Sequence, residues 1–365
     1  MVSREQQVFA LIRDDPMSPQ QAIADQLGIT RSAVAGHIMN LTRKGLIKGR
    51  GYVISDAPFV VIAGGANIDI HGRSAKPIRP HDSNPGDVHI AAGGVARNVA
   101  ENLARLGVDA RLISVVGNDQ YGRMLLRLSR EAGVDVQYVQ QLSGASTSTY
   151  LSVLDNSGNM LLAINDMQIM EQCKVEYLQA HAAMLQRASL VVVDTNLPDK
   201  TLAWLIAKTR EIPIFADTVS AAKAPRLGAH LKHIHTLKTG TIEVEALTGL
   251  KAETLAELKE VASMLHAEGV QRVFITRGDR GVFYSSNQTK ASQTLRRQQR
   301  DVANAGGAGD AFLAGLVFSW LQKSSLSKSV EFALATADIT LSHSGTNHPD
   351  LSVSRVRKAM EQQHA

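Results

Sequence analysis

Between Asp301 and Leu316 the chain reads DVANAGGAGDAFLAGL, with Gly306, Gly307 and Gly309 crowded directly ahead of a run of helix formers. Few backbones can follow such a stretch. Glycine lets a loop turn its N–H groups inward and lets an anion approach closely. The unpaired N–H groups of the first helical turn, and the helix dipole, add to the same anion site. Asp310 stands at the junction of loop and helix. The residues allow two readings. In one, the amides of Gly307, Ala308 and Gly309 hold a phosphoryl group while the Asp310 carboxylate accepts a proton from an attacking hydroxyl. In the other, the stretch is a glycine-rich turn capped by an aspartate.

A second glycine motif lies far upstream, where Ala91 to Gly107 reads AAGGVARNVAENLARLG. The two motifs, in this order, resemble the ribokinase-like (PfkB-type) carbohydrate kinases over about residues 58–360. The resemblance implies an α/β fold: a ribokinase-like three-layer α/β/α domain with a small β-sheet lid. It implies a phosphotransferase with an alcohol acceptor, using ATP and Mg²⁺, with room for a monovalent cation such as K⁺. On it Asp310 is the catalytic base, and the amides of Gly307, Ala308 and Gly309 form the anion hole.

The chain between the motifs fits such a domain. FVVIAGGANIDI, from Phe59, reads as a buried parallel strand followed by polar residues. Asn67 and Asp69 then fall near the strand's carboxyl end, where open α/β sheets bind ligands. Gly93 and Gly94 precede a helix over Val95 to Leu106 and let backbone approach a substrate, with Asn98 placed to bond a hydroxyl. Strands follow at 189–194, 212–217, 233–237, 272–276 and 281–285, and helices near 200–209, 241–249, 253–267, 310–322, 327–342 and 353–362. The hairpin pattern of 147–166 interrupts this alternation and reads as a lid; residues 71–90 are irregular, with three prolines, and the resemblance implies that part of the small β-sheet lid lies there.

The family resemblance assigns further roles. LKTGTIEVEALTG (237–249) is similar to its Lys-Pro-Asn-x-x-Glu region, which places Lys238 on ATP and Glu243 on the metal. Thr276 and Gly278 resemble its nucleotide-side loop. The chain departs from the pattern at Thr239, Gly240, Asn304 and Gly306. Within the family, DSNPG (82–86), TYLS (149–152), AINDM (163–167) and TNHPDLS (346–352) resemble the bacterial pseudouridine kinases. That implies transfer to a ribose 5′-hydroxyl, with Thr149 and Asn165 joining Asn67, Asp69, Gly93, Gly94 and Asn98 around a nucleoside or sugar. A ligand-sensing regulator with weak turnover is the alternative that the departures leave open.

Residues 1–57 form a separate unit, and 58–365 the kinase domain. Val8, Leu11 and Ile12 sit at helical spacing; Ser18-Pro19 reads as the start of a second helix ending at Gly28; Thr30 caps a third over 31–44; and LIKGRGYVI reads as a two-strand wing. This resembles a winged helix-turn-helix, with Ala22, Ala24, Leu27, Ile29, Val34, Ile38 and Leu41 as its core. From Arg31 to Ser55 there are five cations and no acid. Arg31, Ser32 and His37 on the third helix are candidates for the major groove, and Arg43, Lys44, Lys48 and Arg50 for phosphates of duplex DNA. One such module reads half a site, so a homodimer is expected. No apolar run reaches membrane-spanning length, and the single cysteine, Cys173, suits a reducing cytoplasm.

Overall fold

The structure, a computed structural model, describes residues 2–48, 58–288, 291–295 and 306–364. In the first stretch α1 (Arg4–Asp14), α2 (Gln20–Leu27) and α3 (Arg31–Arg43) close around Val8, Ile12, Val34, Ile38 and Leu41. These apolar residues recur three and four apart, which gives each helix one inward stripe. Ser3 and Gln6 make a capping box, and the Thr30 hydroxyl accepts the Ala33 N–H. Two expectations change. Ser18 donates to the Asp15 carboxylate instead of capping α2, which starts at Gln20. Ile23 takes the buried place and Ala22 is exposed, the larger side chain winning the core. The wing from Gly49 to Ile54, with Arg50, and the linker at 55–57 lie outside the described residues.

The larger part is built on thirteen described strands: β1 (Phe59–Ala63), β2 (Asn67–Ser74), β3 (Gly86–Gly93), β4 (Asp109–Gly117), β5 (Val139–Leu142), β6 (Thr149–Leu154), β7 (Met160–Asp166), β8 (Leu190–Asp194), β9 (Ile214–Asp217), β10 (Thr236–Gly240), β11 (Arg272–Thr276), β12 (Val282–Ser286) and β13 (Ala291–Leu295). Nine form one sheet in the order β13-β12-β11-β10-β9-β8-β1-β4-β5. It is parallel from β11 to β5, and β12 and β13 run antiparallel at one edge. Alternate residues of β1 feed opposite cores. Val60 and Ile62 pack with α4 (Val95–Arg105) and the helix Ala308–Leu321, while Val61 and Ala63 pack with the helices Asp199–Lys208 and Leu255–Ala267. A sheet covered on both faces needs such continuous apolar strands.

The other four strands make the small sheet, in the order β3-β2-β6-β7. The strand expected from Phe59 ends before its two glycines, and the polar residues expected after it begin a strand of their own. β1 stops at Ala63, and after Gly64-Gly65 the chain leaves the large sheet, so Asn67 and Asp69 belong to the lid strand β2. The strand expected at 233–237 lies at Thr236–Gly240, after a 3-10 segment over Ala224–His233. Its parallel pairing with Phe215–Asp217 and Arg272–Thr276 fixes that later register.

Candidate active site

The carboxyl ends of β8, β9, β10 and β11 bring Asp194, Asp217, Lys238 and Thr276 to one edge of the sheet, where parallel α/β folds bind ligands. Lys238 Nζ donates to Asp217 Oδ2 at 2.8 Å. Burial works against its charge, but Asp217, Asp310 and Glu243 outweigh that and hold its pKa above the ordinary value. Lys238 also lies against the glycine loop: a Cβ on Gly309 would stand 2.7 Å from its ammonium nitrogen.

Asp310 is the third residue of the helix Ala308–Leu321 and is buried. Gly307 precedes that helix with φ 78°, and a side chain there would collide with the Thr346 carbonyl oxygen. Only glycine fills both conditions. The Asp310 Oδ2 accepts from Asn98 Nδ2 at 2.8 Å. Burial pushes its pKa up to about 7, with Asp217 and Asp194 adding to the rise and Lys238 and Asn98 opposing it. A carboxyl group poised there exchanges a proton near neutrality.

Asn98 is itself held. Arg97, buried beside it, donates to Asn98 Oδ1, Asn347 Oδ1 and the Ala92 carbonyl, each at 3.0 Å, and pairs with Glu101. Asn347 Nδ2 returns a bond to the Asn98 carbonyl at 3.0 Å. Asp194 accepts the N–H groups of Gly65 and Ala96 at 2.9 Å and of Asn196 at 2.8 Å, tying the break after β1 to the first turn of α4. Burial raises its pKa to about 6. Sequence reasoning missed Arg97, Asp194 and Asp217. An acid closing a buried apolar strand, as in VVVD and IFAD, was the available signal.

On the lid, Asn67 donates to Asp69 at 2.6 Å, and the Asp69 carboxylate lies against the Gly93 backbone. Burial raises the Asp69 pKa. Register puts Asp69, Tyr150 and Asn165 in one row across β2, β6 and β7. Thr149 pairs with Ile68 and so shares the opposite, apolar face. Gly94 opens α4 beside Gly93. Asn84, of DSNPG, folds back on Arg79 at the outer turn between β2 and β3. Thr346, Asn347 and His348 are buried behind Asp310, so TNHPDLS forms part of the wall and not the lid. Thr276 donates to the Thr239 carbonyl at 3.2 Å, and Gly278 follows on an exposed turn. Glu243 folds its carboxylate onto the space that a side chain at Gly240 would fill. Asn304 lies outside the described residues.

On the N-terminal module Arg31 and Ser32 are exposed and His37 is half-buried on α3. Arg43 donates to Asn40 Oδ1 at 3.0 Å, Lys44 pairs with Glu5, and Lys48 pairs with Asp109 at 2.6 Å. Two cations assigned to DNA phosphates thus already face carboxylates.

Comparisons with known proteins bear on the family and the fold. Residues 57–352 match the model of the pfkB family carbohydrate kinases, and residues 4–48 match that of a winged helix-turn-helix DNA-binding domain. The chain is 41% identical over 352 residues to an uncharacterized sugar kinase of Escherichia coli (strain K12), covering 96% of this chain and 97% of that protein. It is 41% identical over 305 residues to the pseudouridine kinase of the same organism, covering 83% and 96%. Among solved structures it is similar to a putative sugar kinase from Clostridium perfringens, with TM-score 0.74 and 31% identity over 84% of this chain and 97% of that one.

Proposed function

The chain belongs to the pfkB family of carbohydrate kinases and carries an N-terminal winged helix-turn-helix domain, and from that premise we propose that it transfers the γ-phosphoryl group of ATP to the 5′-hydroxyl of a nucleoside, pseudouridine first. The observation that carries the chemistry is Asp310, a carboxyl with pKa about 7 at a helix N-terminus, bonded to Asn98. Its carboxylate takes the hydroxyl proton as the new O–P bond forms and the bond to ADP breaks. The amides of Gly307, Ala308 and Gly309, with Lys238 beside them, stabilise the charge on the transferring group. Asn67, Asp69 and Asn165, with the Gly93-Gly94 backbone, hold the sugar, and Thr276 and Gly278 line the nucleotide side. The choice of pseudouridine rests on the 41% identity to the pseudouridine kinase.

Among the described residues no group of three or more His, Cys, Asp or Glu is arranged to hold a metal. The single carboxylate of Glu243 beside Lys238 suits Mg²⁺, which keeps waters and takes other ligands from phosphates. Mg²⁺, when bound, neutralises phosphate charge; a monovalent cation such as K⁺ is part of the same proposal. Residues 1–57 bind duplex DNA, through Arg31, Ser32 and His37 on α3 and through the surrounding cations. The active unit is a homodimer, because the outer face of the lid exposes Val88, Ile90, Leu162 and Ile164.

The test is turnover with ATP against pseudouridine, uridine, guanosine, adenosine, ribose and fructose 6-phosphate. Pseudouridine is expected to give the highest kcat/KM. A simple sugar winning would remove the nucleoside assignment and leave the kinase in place. No turnover on the panel would favour the regulator reading, which Gly240 supports because the family's usual asparagine is missing beside Glu243.

A further inference from the structure

The kinase domain and the N-terminal module meet at a seam of opposite charges. Asp109 and Arg111 open β4 at the end of the strand away from Asp310, which lies beyond the carboxyl ends. Arg111 is fully buried, its guanidinium carbon 3.5 Å from the centre of the Phe59 ring. It reaches across to the Gly45 carbonyl oxygen at 3.4 Å, at the turn that ends α3. Gly45 has φ 67°, and a side chain there would collide with Arg111 and lie 3.3 Å from the Tyr138 hydroxyl. Three residues on, Lys48 Nζ meets Asp109 Oδ2 at 2.6 Å. Asp109 also faces Arg111 at 3.2 Å. Lys48 and Asp109 are 29% and 15% exposed, so the pair is shielded from solvent without being sealed from it.

A carboxylate bonded to a lysine offers it what a DNA phosphate offers: an anionic oxygen at hydrogen-bond distance. The two cannot hold the same ammonium at full strength. We propose that Asp109 is an intramolecular competitor for duplex DNA, occupying Lys48 while the module is docked and releasing it when a phosphate takes the place of the carboxylate. This rests on the reading that residues 1–57 bind DNA. It goes further, because it makes the kinase domain a negative contributor to DNA affinity through one named contact. Arg111 keeps Asp109 anionic, and its bond to Gly45 keeps Lys48 within reach.

Fluorescence anisotropy with a mixed-sequence duplex across a salt series tests it on the full chain. Asp109→Asn is expected to tighten binding several-fold at every salt concentration, because the same phosphate contact then forms with no ion pair to break. Asp109→Asn with Lys48→Ala should lose that gain and flatten the salt dependence by about one unit, the signature of one lost phosphate contact. Kinase turnover should be unchanged in Asp109→Asn, which reports that the fold is intact. Equal affinity in wild type and Asp109→Asn, with DNA still bound, overturns the competition and spares the DNA-binding reading. Absence of duplex binding in every variant overturns both. Should Asp109→Asn fail to fold because Arg111 loses its carboxylate, hydrogen exchange on the wild-type chain decides. A saturating duplex is expected to speed exchange at Gly45–Lys48 and Asp109–Arg111, and unchanged exchange there overturns the proposal.

Discussion

Asp310 shows how one residue can be tuned by its neighbours in two directions. Burial and the carboxylates of Asp217 and Asp194 raise its pKa, while Lys238 and the Asn98 amide restrain the rise. As a base it works only when deprotonated, so kcat/KM should climb with pH and level above about 7. Asp310→Asn should lower kcat by about 10² or more and leave nucleotide affinity nearly unchanged; wild-type turnover in that variant would reduce Asp310 to a cap. Stability provides a second readout with a defined sign. The folded pKa lies above the ordinary 3.8, so ionising Asp310 costs stability as pH rises from about 4 to about 7. Asp310→Asn removes that cost, and its Tm relative to wild type should therefore improve between pH 4 and pH 8. A Tm difference independent of pH would mean that the carboxyl group is not held up by its surroundings.

At the level of elements, the glycine loop and the segment after the helix Leu326–Leu341 depend on each other. Gly307 lies directly under the Thr346 carbonyl, and Asn347 bonds both Arg97 and Asn98. Gly307→Ala should therefore strain the loop, lowering stability by about 1–3 kcal/mol and turnover with it. Unchanged melting and unchanged kcat would show that the loop can relax away from Thr346. The two glycine motifs were legible in sequence because positive φ and close backbone approach both demand glycine, as at Gly94 and Gly307. The wall that supports them was not, since TNHPDLS stood out only by resemblance and its polar composition gives no sign that Thr346, Asn347 and His348 are buried. The route of β2 was hidden for another reason: Gly64-Gly65 diverts the chain to the lid, and no local pattern distinguishes that from a turn inside one sheet. Thr149 has the composition of a sugar ligand, but register, a long-range property, turns it to the Ile68 face.

For the whole molecule, a dimer formed through the lid would link the lid to the DNA module. Register places Val88, Ile90, Ile70, Leu151, Val153, Leu162 and Ile164 on one side of the small sheet, opposite Asp69, Tyr150 and Asn165. Val88, Ile90, Leu162 and Ile164 are 67%, 46%, 51% and 58% exposed, which a solitary chain seldom tolerates in one patch. A second copy covering this face would leave the polar side over each substrate and would bring two winged modules into one particle. A single winged module reads half a site, so such a dimer would multiply affinity for a two-fold duplex without any new protein–DNA contact. Ile164→Glu puts a charge into that contact while its side chain stays away from the sugar. It should convert a sedimenting dimer to a monomer. It should weaken binding to a two-half-site duplex at least tenfold, and leave binding to a single half-site duplex unchanged. Analytical ultracentrifugation and anisotropy on the same samples separate the outcomes. A variant that stays dimeric moves the interface elsewhere. A monomer with undiminished affinity for the two-half-site duplex means that the modules do not act as a pair.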